Sequence, residues 1–356
     1  MRLIYVDKNR DYKWNNNYLC VKLVQMARKF TLLVVALVLM TACSGRVDSY
    51  RRCSGSVWAT AYNVVYSGGR DLDDSMMVVM RRVERSLSPF DKESVISRIN
   101  RGESVRVDTM LRRVFETSQY VCRISGGVFD PTVAPLVNLW GFGYDNAAVE
   151  PSQESIDSAL THVGLPGCRL DADTIERLSE HTEFNFSAIT KGYGCDMVGE
   201  MLFRNGCADY MVEIGGEIAV RGKNPRGEKW HIQIDAPVEG MGVGEKSMGV
   251  IELTDAGMAT SGNYRNYRTT PSGKVWHTID PRTGRPAETT TLSATVIAPT
   301  CMMADALATA CMAMMPSDAL AMINGVEGVE ALLVVRGDVD GDMTVRSTAG
   351  FPPFVK

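Results

Sequence analysis

Apolar positions recur at helical spacing in several stretches of the chain. Leu72, Met76, Val79, Met80, Val83 and Leu87 share one face after Asp71, and Leu111, Val114, Phe115, Ser118, Val121 and Cys122 share another after Asp108. Aspartate is a favoured N-cap, so both stretches predict amphipathic helices laid against a sheet. Further helices are predicted over 152–163, over 188–206, where a glycine suits the end, and over 303–315, stopped by Pro316. Alternating or β-branched runs over 58–66, 210–220, 230–235, 249–253, 274–279, 292–298 and 331–336 predict strands, with Gly, Pro and Asp turns between them.

The strands come in clusters and do not alternate regularly with helices, which predicts an α+β fold of mixed or antiparallel sheets flanked by helices. No Gly-x-Gly-x-x-Gly follows a strand and no Gly-x-x-x-x-Gly-Lys-Ser/Thr occurs, so a doubly wound nucleotide fold is disfavoured. There is no internal repeat, only a loose Gly/Glu/Met stretch over 237–246, and one continuous folded unit is expected from Ser56 onward.

The N-terminus follows a different plan. Lys22, Arg28 and Lys29 precede an apolar run over 32–40, then Thr41-Ala42-Cys43-Ser44-Gly45. This order is similar to a bacterial lipoprotein signal peptide, with small residues before the cysteine that would carry lipid, although Met40 stands where leucine is commoner. A buried core helix is the alternative reading. Asn15-Asn16-Asn17 and two upstream aspartates fit no signal, so Met26 is the expected functional start. The expected division is extension and signal over 1–42, lipid-anchored tether over 43–55 and folded domain over 56–356. The protein would then be exported and held at the membrane, facing the periplasm.

Composition narrows the field. At 356 residues, 45% apolar and 22% charged, the chain is neither disordered nor a small disulfide scaffold. Residues 1–42 hold seven of the 38 basic and two of the 42 acidic residues, so the remainder carries 31 against 40, near −9. A net acidic chain without a basic run excludes nucleic acid as the expected partner. Nine cysteines include no Cys-x-x-Cys, and most lie in apolar periodic segments, which predicts buried free thiols. His162, His181, His231 and His277 lack ligand spacing, which argues against zinc.

Four segments carry candidate chemistry. In Ser125-Gly126-Gly127-Val128-Phe129-Asp130-Pro131-Thr132 the paired glycines let backbone approach a ligand closely, or form a plain helix end and turn. Phe186-Ser187-Ala188-Ile189-Thr190-Lys191 reads as a strand running into a helix start, where N–H groups and a lysine suit an anion; a lysine on a solvated first turn is the bland alternative. Asp305 and Thr309 stand at i and i+4 on one helical face, both hard oxygen ligands of the kind Mg²⁺ takes; a neighbouring Arg265 would serve Asp305 equally. His277 and Asp280 share one face at a strand end before Arg282, a candidate base or phosphate contact. The run Asp338-Val339-Asp340-Gly341-Asp342 reads as an acidic hairpin turn, because it lacks the closing glutamate of a calcium loop.

In this order, and joined by Trp58-Ala59-Thr60, Leu87-Ser88-Pro89-Phe90, Glu213-Ile214-Gly215-Gly216-Glu217 and Ala259-Thr260-Ser261-Gly262-Asn263-Tyr264, these segments resemble the FAD:protein FMN transferase (ApbE flavin transferase) family across nearly the whole mature chain. The resemblance implies an ApbE-like, T-fold-like architecture with FAD in a central cleft. It implies an Mg²⁺-dependent enzyme that moves FMN onto a Thr or Ser of a target protein and releases AMP. Carried over by position, the metal ligands would be the Ala188 carbonyl, Asp305 and Thr309. FAD contacts would come from Trp58, Ala59, Thr60, Phe90, Val128, Phe129, Asp130 and Lys191, and His277 and Asp280 are the candidates for activating the acceptor hydroxyl or orienting phosphate. Implied acceptors are subunits of Na⁺-translocating quinone reductases or related electron-transfer complexes. A hydrolase splitting FAD to FMN and AMP, and a flavin-binding lipoprotein without turnover, are the alternatives. The family's usual Met-Gly-Thr is Trp58-Ala59-Thr60 here, a frequent Asp is Asn185, and a Tyr is Phe90.

Overall fold

Side chains on successive strand residues point to opposite faces, and the central sheet of this protein buries both. The computed structural model describes residues 26, 28, 49–143, 150–238, 246–263, 267–270, 273–337 and 342–355. The signal segment with Cys43, together with Tyr264, Arg265 and the turn 338–341, lies outside the described residues. The chain divides after Asp48, and the unit from Ser49 onward carries all that follows.

That unit is built on eight strands: β1 Tyr50–Val57, β2 Thr60–Ser67, β3 Tyr210–Ile214, β4 Glu217–Arg221, β5 Ala256–Gly262, β6 Thr291–Ala298, β7 Glu330–Arg336 and β8 Met343–Ser347. They lie side by side in that order and every neighbouring pair is antiparallel. Five helices supply its helical layer: α1 Asp73–Leu87, α2 Thr109–Ile124, α3 Ser187–Arg204, α4 Cys301–Met312 and α5 Pro316–Asn324. Tyr62, Val64 and Tyr66 of β2 pack with Met76, Met80, Val198 and Leu202 of the helices. Val65 between them joins Trp230, Ile232 and Ile251 of a hairpin, Trp230–Asp235 with Ser247–Leu253, on the opposite face. In β6, Val296 and Ile297 divide the same way. This double burial explains why consecutive residues are apolar at Val64–Tyr66 of β2 and Val296–Ala298 of β6. The α+β expectation holds, with the main sheet wholly antiparallel.

Several expected boundaries shift. β1 begins at Tyr50, inside the stretch expected to be tether, because its polar residues (Arg51, Arg52, Ser54, Ser56) on an edge strand give no apolar alternation. The predicted strand 58–66 starts at Thr60, since Trp58 and Ala59 form the two-residue loop of the β1–β2 hairpin. The run 210–220 is two strands joined at Gly215-Gly216. Asp71 does not cap α1 directly; Leu72 holds the cap position and Asp71 Oδ1 accepts the Asp73 N–H (3.0 Å). Asp108 caps α2 as expected, accepting from Met110 and Leu111. The helix expected over 303–315 ends at Met312, and Pro316 opens α5 instead of terminating its predecessor, a position where its missing N–H costs nothing. The described cysteines are all free thiols, and only Cys53 is not buried. Among the described residues no helix is long and apolar enough to cross a membrane.

Candidate active site

The close approach of α3 to α4 creates the site. A Cβ on Gly192 would stand 2.8 Å from the Asp305 Cβ and overlap the Cys301 carbonyl, so only glycine permits this spacing. The Gly192 N–H donates to Asp305 Oδ2 (2.9 Å). In a regular helix that N–H belongs to the carbonyl four residues earlier, Ala188. Asp305 therefore competes with the Ala188 carbonyl for its usual donor, at the place where that carbonyl was expected to bind metal. Asp196 of α3 ties the other end of the pair, its two carboxylate oxygens accepting the Cys301 and Met302 N–H groups (2.9 Å each). Burial pushes Asp196 up to about 6.

A cavity of about 770 Å³ opens above this junction. It takes in Ala188, Lys191, Asp305 and Thr309 at the helix pair, Val128, Phe129 and Asp130 from the loop after α2, and His277 and Phe90. Phe90 is 73% exposed, whereas Val128 and Phe129 are buried. Asp305 is buried, and burial raises its pKa while Lys191 and the Gly192 N–H oppose the rise. The Thr309 hydroxyl stands 3.5 Å from Ser261 Oγ. The His277 ring meets Phe142 edge-on, at 6.4 Å between centroids.

Three expected contacts differ from their expected roles. Trp58 and Ala59 do not line the cavity, and neither does Thr60. The Trp58 indole lies against Gly194 of α3, between two core clusters, with Nε1 buried and unpartnered among the described residues. Thr60 stands behind Gly215, which does line the cavity. Asp280 also lies outside: Arg282 grips both of its carboxylate oxygens, with Nη2 at 2.7 Å from Oδ2, so it is the anchor of a turn. Asp130 lines the cavity but its oxygens are engaged, accepting from the Thr132 N–H (2.8 Å), the Thr132 hydroxyl and the Leu165 N–H (2.7 Å). It holds the loop in shape. Gly126 and Gly127, with φ of 65° and 85°, end α2, their N–H groups donating to the Arg123 and Cys122 carbonyls, and do not themselves line the cavity. The segment before α3 is not a strand, because the Asn100 side chain, and not a neighbouring strand, satisfies the Phe184 N–H and carbonyl.

The residue that sequence reasoning missed as part of the site is Glu217. The Gly215-Gly216 loop turns the chain so that Glu217, first residue of β4, faces Lys191, whose Nζ is 2.5 Å from Oε1. Glu217 is 3% exposed and its Oε2 has no hydrogen-bond partner among the described residues. Burial and the neighbouring Asp305 raise its pKa, against the pull of Lys191; burial lowers the Lys191 pKa in turn, but the two carboxylates outweigh it and raise it above the usual lysine range. Gly-Gly-Glu after a β-branched strand is a visible signal, but one that reads first as a hairpin.

These donors fit a small hard cation. A carboxylate, a hydroxyl and a helix-terminal carbonyl are oxygen ligands, and Mg²⁺ completes its shell with water and substrate phosphate. Among the described residues no group of three or more His, Cys, Asp or Glu side chains forms a self-sufficient metal cage.

Antiparallel sheet, close helix pair and a cleft lined by charged and hydroxyl side chains together define an α+β protein with an enzyme-like ligand site. The chain belongs to the ApbE family, whose sequence model matches residues 55–333. The FAD:protein FMN transferase of Vibrio cholerae is 32% identical over 339 residues, 92% of this chain and 99% of that protein. That of Haemophilus influenzae is 31% identical over 335 residues, 89% of this chain and 95% of that one. Among solved structures, the flavin transferase ApbE from Vibrio cholerae superposes with a TM-score of 0.76 at 32% identity, covering 86% of this chain and 100% of that one. The apo flavinyl transferase ApbE of Pseudomonas stutzeri gives 0.76 at 30% identity, covering 85% and 95%.

Proposed function

We propose that this chain is an Mg²⁺-dependent FAD:protein FMN transferase. The observation that carries the reading is the convergence, in one cleft, of a fixed ammonium (Lys191), a buried carboxylate with a hydroxyl one helical turn on (Asp305, Thr309), and an imidazole (His277). The acceptor Ser or Thr oxygen forms a bond to the FMN phosphorus, the pyrophosphate P–O bond breaks, and AMP leaves with the electron pair. The hydroxyl proton goes to a base, for which His277 is the candidate in the cleft. Asp280, held by Arg282, is not part of that step.

The Ala188 carbonyl, Asp305 and Thr309 would hold Mg²⁺, which neutralises charge on the pyrophosphate. Such transfers depend on positioning and charge more than on covalent help from the protein. Phe90 at the mouth and Phe129 in the wall offer aromatic faces to the flavin or adenine ring. Asp130 shapes that wall.

Export and lipid attachment at Cys43, with acceptors among subunits of quinone reductases or related electron-transfer complexes, complete the proposal. They rest on the order of basic, apolar and small residues before Cys43 and on the resemblance. Cys43→Ala abolishes incorporation of labelled palmitate if the attachment is as proposed.

The activity is tested with the domain from Ser49, FAD, Mg²⁺ and a purified acceptor domain, by acceptor mass and free AMP. A mass gain of one FMN phosphoester with equimolar AMP supports transfer. AMP and FMN without acceptor modification make it a hydrolase, and intact bound FAD makes it a binding protein.

A further inference from the structure

A pyrophosphate is a dianion, yet the described residues lining the cleft carry three carboxylates (Asp130, Glu217, Asp305) against two permanent cations (Lys191, Arg268), with His277 beside them. Arg268 lines the cleft with its guanidinium 5.6 Å from the centre of the Phe142 ring. Lys191 is the cation at the floor, and Glu217 is already paired with it at 2.5 Å. The pair is not needed to fill space: a buried ion pair is often no better for stability than apolar side chains of the same volume. It does not complete a hydrogen-bond network either, since Glu217 Oε2 has no partner among the described residues.

We propose that Glu217 couples dinucleotide binding to the divalent cation: by cancelling the Lys191 charge it leaves the cleft floor unable to hold a pyrophosphate until a cation is bound at Asp305 and Thr309. This rests on the flavin transferase reading for the identity of the ligand. The coupling is reciprocal, so FAD must tighten the cation by the same factor that the cation tightens FAD. Its benefit to the reaction is order: FAD would be held only when the charge that activates its pyrophosphate is in place, and not in an unreactive metal-free complex.

The geometry favours this role over mere exposure of a lysine. The Lys191 side chain is partly exposed to the cleft (36%), so its ammonium is oriented by the 2.5 Å ion pair to the buried Glu217 and not by packing around its stem. Glu217 is also braced from behind, where Cys195 Sγ donates to its backbone carbonyl (3.2 Å).

The test is calorimetric titration of FAD, and of ADP as a pyrophosphate without flavin, into the full domain with EDTA or with Mg²⁺. Wild type, Glu217→Gln, Lys191→Met and the double variant are compared, with melting temperature as a folding control. Glu217→Gln is expected to raise cation-free affinity for both ligands about tenfold and to shrink the Mg²⁺ effect by the same factor, the scale of one uncompensated charge at short range. Lys191→Met is expected to weaken both ligands with and without Mg²⁺. The double variant restores the wild-type charge and is expected to recover the wild-type dependence on Mg²⁺; it also replaces the single variants if either fails to fold.

Unchanged or weakened cation-free binding in Glu217→Gln, or a double variant that binds both ligands without Mg²⁺, overturns the inference. If wild type transfers FMN but Glu217→Gln shows no shift, this inference falls alone. If binding shifts as expected but no FMN reaches an acceptor, the transferase reading falls and the coupling stands.

Discussion

Ala59 holds a left-handed backbone conformation that a side chain disfavours. With Trp58 it forms the β1–β2 loop, at φ of 49° and 58°, a conformation that costs a non-glycine residue roughly 1–2 kcal/mol. Glycine relieves that strain but loses more entropy on folding, so Ala59→Gly is expected to stabilise by roughly 0.5–1 kcal/mol, raising the melting temperature by about 1–3 °C. Calorimetric melting checks it, and a lowered melting temperature would show that Ala59 makes contacts worth more than the strain. At this scale the sequence was legible for side chains with one function and misleading for those with two options. Asp305 and Thr309, one helical turn apart, and Lys191, near a helix start, all line the cleft. Asp280 carried the same chemical promise, but Arg282 two residues on satisfies it locally, a competition that spacing alone does not reveal.

At the scale of elements, the site is a property of two helices held unusually close. Gly192→Ala forces α3 from α4, and overpacking of this kind is expected to cost about 1–3 kcal/mol. Denaturant unfolding measures that cost, and a matching loss of FAD binding would show that the spacing serves the site as well as the core. Asp196 joins the same helices at the α4 N-terminus. Its carboxyl titrates near 6 in the folded protein, above the ordinary value, so its contribution to stability is full below about pH 4 and is lost as pH rises through 6. Urea unfolding from pH 4 to 7 should therefore show a decline that Asp196→Asn flattens, by up to about 3 kcal/mol for a shift of roughly two units. An unaltered slope would remove Asp196 as its source. Helices α1 and α2 were legible because their apolar faces are regular and polar residues mark their starts. β1 was not, because an edge strand of exposed polar residues has no hydrophobic period to read.

For the molecule as a whole, both sheet faces are occupied, one by the helical layer and the other by the hairpin Trp230–Asp235 with Ser247–Leu253. The cleft is thereby confined to the helical side, where loops separated by about 150 residues meet: the turn after α2, the start of α3, and the segment of His277. That convergence is tertiary, and only a whole-chain resemblance made it visible before the structure did. In the proposed reading the cation falls to Asp305, the one of the three cleft carboxylates engaged neither by an ion pair to lysine nor by a side-chain hydroxyl. The decisive measurement is FMN bound to a purified acceptor, with AMP released, for wild type and Asp305→Ala across a titration of Mg²⁺. Wild type should modify the acceptor only with Mg²⁺ and lose the activity in EDTA, while Asp305→Ala folds and transfers at least about a hundredfold more slowly at any Mg²⁺ concentration. Equal transfer by the two proteins, or full transfer in EDTA, would contradict the account.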